Sequence, residues 1–290
     1  MKKIDGKVIA QKIIERLSQK SVPDKILAGI LIGKNPASQS FLKIKEKTAK
    51  SLGINFKVYE FPEKSSTKFL AEKIKAIAAQ KKVGGVIIQL PLPKHVDSLA
   101  VLNVIPAEKD IDVLSERAVG SFYNGTNMIN PPAVGVIEEI IKIKNYQLKD
   151  KIVAVVGLGF LIGKPVSLWM IRKCKELYLL DKGSDLSLLK QADLIISGTG
   201  QSSLIKPAML KKGAMVIDFG YSFKNGKIFG DFDESKIVNC KLEIRNLLYT
   251  PTPGGTGPIL VAKLMENFYR LSANTASGGR KKYTRARGGH

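Results

Sequence analysis

The stretch VAVVGLGFLIGKP, residues 153–165, decides the fold. Its first four residues form an apolar run with three valines, which reads as a buried parallel strand. The run breaks at Gly157, Gly159 and Gly163, and an apolar helical pattern follows through Val166, Leu168, Trp169 and Ile171. Strand, tight turn and helix in that order place free N–H groups and the positive end of a helix dipole where a pyrophosphate can bind. The spacing G-x-G-x-x-x-G is one residue longer than the common dinucleotide fingerprint. Glycines at a strand-to-helix turn also serve close packing alone. The turn by itself leaves both readings open.

Working outward, apolar and amphipathic segments alternate on both sides. Val8, Ile9, Ile13, Ile14 and Leu17 recur at helical spacing over residues 5–20. ILAGILI (26–32), a Lys-rich helix (38–52), INFKVYEF (54–61), a helix (67–80) and GGVIIQL (84–90) then succeed one another. This is the pattern of βαβ units. A helix near 97–104 precedes an irregular boundary at 121–132, and AVGVIEEIIKI leads as a helix into the strand before Gly157. Further strands are expected at 176–180, 193–197, 214–219 and 227–229, with a last helix over 258–271. The fold class expected is α/β, in two domains, the second with a nucleotide-type sheet. The expected domains are 1–120 plus 256–272, 121–255, and a basic disordered tail over 273–290.

Composition is ordinary for a globular protein, with 44% hydrophobic and 25% charged residues. No apolar run approaches the roughly 20 residues of a membrane span. Cys174 and Cys240 show neither metal-ligand spacing nor a disulfide framework, which suits a reducing cytoplasm. Net charge is +22, of which Arg280, Lys281, Lys282, Arg285 and Arg287 supply five in the tail. Such an excess attracts anionic substrates or nucleic acid, or simply reflects a lysine-rich proteome. Any nucleic-acid contact is expected only through that tail. The helix KIKEKTAK lacks interleaved aromatics and reads as a solvated face. His95 and His290 have no Ser/Asp partner and no metal-ligand spacing, so neither a hydrolase triad nor a metal site is expected.

Four further segments give the glycine turn its context: NPASQSFLKIK (35–45), GGVIIQLPLPKH (84–95), PAEKDID (106–112) and TPTPGGTGP (250–258). With GLGFLIGKP, which corresponds to a G-x-S-x-x-x-G-x-P pattern, the chain resembles the bifunctional methylenetetrahydrofolate dehydrogenase/methenyltetrahydrofolate cyclohydrolase family over residues 2–271. The resemblance implies oxidation of 5,10-methylene-tetrahydrofolate with NAD(P)+ and hydrolysis to 10-formyl-tetrahydrofolate. It also implies an N-terminal three-layer α/β catalytic domain and a Rossmann-type NAD(P)-binding domain with a cleft between them, and a homodimer acting on folate polyglutamates.

Residue by residue, the resemblance makes Lys45 the leading catalytic candidate, although a lone helical lysine is ordinarily solvated. Phe41, one turn earlier, shares its helix face. Gln89, at a strand's carboxyl end, would hydrogen-bond that lysine, followed by the stiff Leu90–Pro91 loop. Asp112 would accept the pterin N–H groups, a donor pair suited to a carboxylate. Without the resemblance, KDID reads as a turn with helix-capping aspartates. Pro253, Gly254 and Gly255 would form a wall without side chains against the substrate. Gly157, Gly159, Gly163, Lys164, Pro165, Gly198 and Thr199 would line the cofactor. Asp181, 24 residues after Gly157, would bind both ribose hydroxyls and repel a 2′-phosphate. That favours NAD, while the neighbouring Lys182 argues for NADP.

The chain departs from the family pattern near the chemistry. Phe41 stands for a tyrosine, Val113 for a glycine and Gly159 for a serine. A-V-G-S-F (118–122) replaces N-x-G-x-L, and NPPAVG (130–135) replaces P-C-T-P-x-G. Two alternatives to the active bifunctional enzyme follow: a degenerate paralogue limited to one half-reaction or ligand binding, and a basic nucleic-acid-associated protein on this scaffold. A shikimate-type dehydrogenase is argued against by QLPLP and PGGTGP.

Overall fold

The computed structural model describes residues 2–224, 226–240 and 246–276, with backbone alone for 238–240 and 274–276. The chain packs as two compact units. One comprises the chain up to Arg16 together with Pro131–Lys263; the other comprises Leu17–Asn130 together with the chain from Leu264. The chain opens with strand β1 (Lys2–Lys3) and helix α1 (Gly6–Ser18).

In the Leu17–Asn130 unit, β2 (Ile26–Ile32) lies between β3 (Asn55–Phe61) and β4 (Val83–Ile88), all parallel. The unbroken apolar run of β2 is explained by this central place: Leu27 and Ile30 are fully buried. Edge strand β3 alternates instead, as a half-solvated strand should. Helix α2 (Pro36–Ser51) starts on the Asn35 cap, whose Oδ1 accepts the Ser38 N–H, with Pro36 in the first turn. Helices α3 (Thr67–Ala79), α4 (Ser98–Leu102) and α5 (Glu116–Tyr123) follow. The irregular segment expected at 121–132 therefore opens inside a helix: Ser115 caps α5, which runs to Tyr123.

The other unit carries α6 (Pro132–Lys144), β5 (Ile152–Val156), α7 (Gly163–Met170), β6 (Glu176–Leu180), β7 (Leu194–Ser197) and β8 (Met215–Asp218). After the hairpin β9 (Ser222–Lys224) and β10 (Lys227–Phe229) come β11 (Leu248–Tyr249) and helix α8 (Thr256–Ala276). Six parallel strands are ordered β1-β11-β8-β7-β5-β6. The order reverses at β5, which has β6 on one side and β7 on the other, the place where doubly wound sheets bind ligands. Two-residue strands β1 and β11 are too short to show any alternation in sequence. Their pairing, Lys2 with Leu248 and Lys3 with Tyr249, draws the N terminus into this sheet rather than into the 1–120 grouping. Helix α8 outruns the expected 258–271 at both ends, and residues 277–290 of the expected tail lie outside the described residues.

A buried charge cluster marks the same unit. Glu139 on α6 accepts from Arg16 Nη1 at 2.9 Å and faces Lys263 Nζ at 3.6 Å. Gly135 makes room for that lysine, since a Cβ there would stand 2.7 Å from its Cε. The NPPAVG departure thus keeps a glycine where the packing demands one.

Candidate functional site

The side-chain site belongs to the Leu17–Asn130 unit. β4 delivers Gln89 at its carboxyl end, where the Gln89 N–H donates to the Ile30 carbonyl at 2.9 Å. A parallel bridge between Val86 and Asp110 sets the 110–112 segment beside β4. Asp112, two residues further along that segment, is thereby carried toward the level of Gln89. Helix α2 supplies Lys45, whose Nζ donates to Gln89 Oε1 at 3.1 Å. The amide's other end is fixed as well: Gln89 Nε2 donates to the Leu90 carbonyl at 2.8 Å. Gln89 therefore presents its oxygen, and only its oxygen, to the lysine.

Burial holds the Lys45 ammonium below its ordinary range, and the Asp112 charge pulls it back up. Burial likewise pushes the Asp112 carboxyl up to about 6, opposed by Lys45 and reinforced by Asp110. An amine and a carboxyl that have each lost water are thus coupled across a small space. Burial shifts the amine in the direction that favours its giving up a proton.

The KDID motif divides its labour. Lys109 caps the end of α3, donating to the Ala78 and Gln80 carbonyls at 2.6 and 3.0 Å. Asp110 is buried and accepts the Leu114 and Ser115 N–H groups at 2.9 and 2.7 Å. Only Asp112 couples to Lys45. Val113, next to it, has φ of 59°, the left-handed region that a β-branched residue adopts at a cost. Its position is the one where the family pattern has glycine. Phe41 sits one turn before Lys45 on α2 and is half-buried. Leu90 is half-buried and Pro91 exposed.

Asn267 was not among the candidates. It is buried on α8 and its Nδ2 donates to the Ile111 and Asn130 carbonyls at 2.9 and 3.0 Å. The bond to Ile111 steadies the residue before Asp112. A lone asparagine within the apolar pattern of PILVAKLMENFYRL was the available signal.

The backbone site belongs to the other unit. Gly157 has φ of 85°, and a Cβ on it would meet Thr199 Cγ2 at 2.8 Å. A Cβ on Gly163 would stand 1.9 Å from the Gly157 carbonyl oxygen. Gly159 is the opposite case: it is exposed and nothing lies within 4 Å of its missing Cβ. Gly163 opens α7, whose exposed Lys164 donates its N–H to the Gly159 carbonyl at 3.0 Å and is followed by Pro165. Carboxyl ends of three neighbouring strands converge here: the Gly157 N–H donates to Leu180 O and the Gly198 N–H to Val156 O. Asp181 and Lys182, just past β6, are both exposed. A bare turn at a helix N terminus, flanked by an exposed acid one strand away, fits a dinucleotide. Among the described residues, no group of three His, Cys, Asp or Glu could hold a metal ion.

Pro253, Gly254 and Gly255 also belong to this backbone unit, not to that of Lys45. The Gly6 N–H donates to the Gly254 carbonyl at 3.0 Å, and a Cβ on Gly6 would overlap the Gly255 carbonyl. Gly254 has φ of 99°, and a Cβ on Gly255 would stand 2.5 Å from the Pro251 oxygen. The loop therefore requires its glycines for its own conformation, as a turn leading into the last helix would.

Residues 4–112 match the catalytic domain of tetrahydrofolate dehydrogenase/cyclohydrolase, and residues 131–276 match its NAD(P)-binding domain. The bifunctional protein FolD of Exiguobacterium sibiricum is 33% identical over 273 residues, covering 91% of this chain and 96% of the relative. The crystal structure of the bifunctional FolD of Campylobacter jejuni superposes with a TM-score of 0.87 at 31% identity, covering 95% and 99% of the two chains. The Trypanosoma brucei enzyme, solved with NADP and an inhibitor, gives 0.85 at 25% identity over 94% and 97%.

Proposed function

The chain belongs to the tetrahydrofolate dehydrogenase/cyclohydrolase family, and from that premise we propose how its residues divide the family's two steps. The enzyme oxidises 5,10-methylene-tetrahydrofolate with NAD(P)+ and hydrolyses the resulting methenyl cation to 10-formyl-tetrahydrofolate. Bound NAD(P)+ supplies the hydride acceptor. Gly157, Gly159, Gly163, Lys164, Pro165, Gly198 and Thr199 hold it, largely through backbone. Pro253, Gly254 and Gly255 give the folate a surface free of side chains.

Lys45 assists the addition of water. Its desolvated amine takes a proton from the attacking water, or returns one to the opening ring, as general acid–base catalysis requires. Gln89 aims the amine, and Asp112 accepts the N–H groups of the pterin. The observation that carries this assignment is the Lys45–Gln89 hydrogen bond in a site where burial lowers the lysine and raises Asp112. The aromatic face of Phe41 remains for stacking, and whatever its absent hydroxyl would have ordered falls to Gln89.

Asp181 favours NAD over NADP, since its exposed carboxylate stands past β6 where a 2′-phosphate would approach. Folate polyglutamates suit a body carrying excess positive charge. The homodimer and cytoplasmic location are part of the same proposal, the first implied by the family and the second by the cysteine usage. No helix among the described residues is long and apolar enough to cross a membrane.

The test is an absorbance assay with methylene-tetrahydrofolate and either NAD+ or NADP+, read before and after acid. NAD(P)H should form while little methenyl cation accumulates without acid, faster with NAD+. Accumulation of the cation would remove the cyclohydrolase assignment and point to Phe41. No turnover with either cofactor in folded protein would replace the whole reading with the degenerate paralogue.

A further inference from the structure

Behind the cofactor turn lies a pair of buried aspartates that neither step uses. Asp218, the last residue of β8, and Asp231, after the β9–β10 hairpin, are 1% and 0% exposed. Taking carboxylates out of water is costly unless every oxygen is satisfied. Asp231 Oδ2 accepts from Ser197 Oγ and from the Thr199 N–H, at 2.5 and 2.7 Å. Its Oδ1 has no hydrogen-bond partner among the described residues. A buried acceptor left unsatisfied calls for a reason.

The reason lies in what Asp231 grips. Thr199 sits in the 198–200 turn and touches the Gly157 turn, where a Cβ would come within 2.8 Å of its Cγ2. Gly198 in return receives the Ile162 side chain, which a Cβ on that glycine would strike at 2.8 Å. The two turns interlock, and Asp231 is the anchor beneath them. Its own backbone is fixed on both sides: Ile205 N–H donates to the Asp231 carbonyl at 2.9 Å and Ser203 N–H to the Gly230 carbonyl at 3.0 Å.

Asp218 fixes the anchor in turn. Its Oδ2 accepts the Phe232 N–H at 2.9 Å and its Oδ1 the Gly220 N–H at 2.6 Å. Neither neighbour could be larger: a Cβ on Gly230 would overlap Asp218 Oδ2, and one on Gly220 would overlap Asp231 Oδ1. Asp218 also reaches the glycine loop. Its N–H donates to Thr250 Oγ1 at 2.8 Å and its carbonyl accepts from Thr256 Oγ1 at 2.7 Å, on either side of Pro253–Gly255.

We propose that Asp231 is a positioning residue for the dehydrogenase step, holding the 198–200 turn against the Gly157 turn so that both present backbone to the dinucleotide. Asp218 secures it from behind. This rests on the assignment of those turns to NAD(P). It predicts a larger effect on cofactor binding than on hydrolysis in the other unit, because the Thr199 N–H rests on this carboxylate.

The experiment compares full-length wild type with Asp231→Asn. An amide oxygen in the place of Oδ2 keeps both acceptor lone pairs but loses the charge, so the bonds from Ser197 and Thr199 both weaken, and the NH2 replaces an oxygen that had no partner among the described residues. Three quantities are read: NAD(P)H affinity by fluorescence titration, hydrogen exchange of the 198–201 amides, and hydrolysis of supplied methenyl-tetrahydrofolate. The last needs no cofactor and reports the Lys45 unit. Asp231→Asn should weaken NAD(P)H at least 10-fold, speed exchange at Thr199, and raise KM for NAD(P)+ without changing KM for the folate. Hydrolysis should stay within about twofold.

Unchanged NAD(P)H affinity, or equal losses in all three, overturns the proposal. If Asp231→Asn does not fold, Ser197→Ala removes one donor and spares the carboxylate; a two- to fivefold loss of NAD(P)H affinity supports the role and no loss removes it. Wild type that binds no NAD(P)H at all would refute the cofactor assignment itself, a different failure.

Discussion

The two sites of this protein are built from opposite materials. In the Leu17–Asn130 unit, the proposed chemistry rests on three side chains, Lys45, Gln89 and Asp112, tuned by loss of water and by one another. In the other unit, the turn at 157–163 proposed to hold the dinucleotide depends on what is missing, since Gly157 and Gly163 leave no room for a Cβ. The difference teaches where each site tolerates change. A side-chain site fails when a functional group is replaced. A backbone site fails when volume is added where the fold has no room, whereas at position 159, where the family serine is lost, nothing in the fold meets an added Cβ.

The sharpest way to break that contrast is at Lys45. Lys45→Met keeps the length and apolar stem but removes the proton carrier, and should cost about 10²- to 10⁴-fold in hydrolysis of methenyl-tetrahydrofolate. NAD(P)H affinity, measured by fluorescence, should not move. Unchanged hydrolysis would remove Lys45 from its role. In the backbone unit, Gly163→Ala drives a methyl into the Gly157 carbonyl and should cost about 1–3 kcal/mol of stability by denaturant unfolding. Gly159→Ala should leave stability unchanged within error. Equal effects at the two glycines would contradict the geometry.

Asp112 sharpens the comparison through pH. Its carboxyl, pushed up to about 6 by burial, must be ionised to accept the pterin N–H groups, so folate KM should rise as pH falls through 6. Asp112→Asn should flatten that limb. The sign for stability is the reverse. A buried acid with a raised value binds its proton more tightly folded than unfolded, so its contribution is present below the ordinary carboxylate value and is lost as pH rises toward 6. The smallest effect belongs to Val113. Glycine there relieves a left-handed valine, worth about 1–2 kcal/mol, but loses a buried side chain of similar worth. Val113→Gly should be nearly neutral by thermal unfolding, while Val153→Gly in β5, which relieves nothing, should cost several times more.

Legibility in the sequence followed the same division. The run ILAGILI and the valines before Gly157 announced central parallel strands, because full burial on both faces leaves no alternation to interpret. The glycine turn was legible as a strand-to-helix turn, while its spacing alone left dinucleotide binding and close packing both open. Lys45 was not legible in its helix pattern: one half-buried lysine looks like any other, and the family resemblance alone raised it. β1 and β11 were invisible because two residues carry no period, so the pairing of the first residues with Leu248 and Tyr249 could not be read in advance. Lys109 and Asp110 lie in the same motif as Asp112, yet one caps α3 and the other holds a turn. Nothing in the sequence singled out Asp218 or Asp231, since burial of a polar group is set by packing between distant segments.

The most direct test of the division reads both steps in one assay, for Lys45→Met and Gly163→Ala side by side. Progress curves starting from methylene-tetrahydrofolate follow NAD(P)H and methenyl cation together, and separate reactions start from methenyl-tetrahydrofolate. Lys45→Met should form NAD(P)H while the cation accumulates. Gly163→Ala should form NAD(P)H slowly yet hydrolyse supplied cation at a rate near wild type. Loss of both steps in both variants would contradict the division between side chain and backbone.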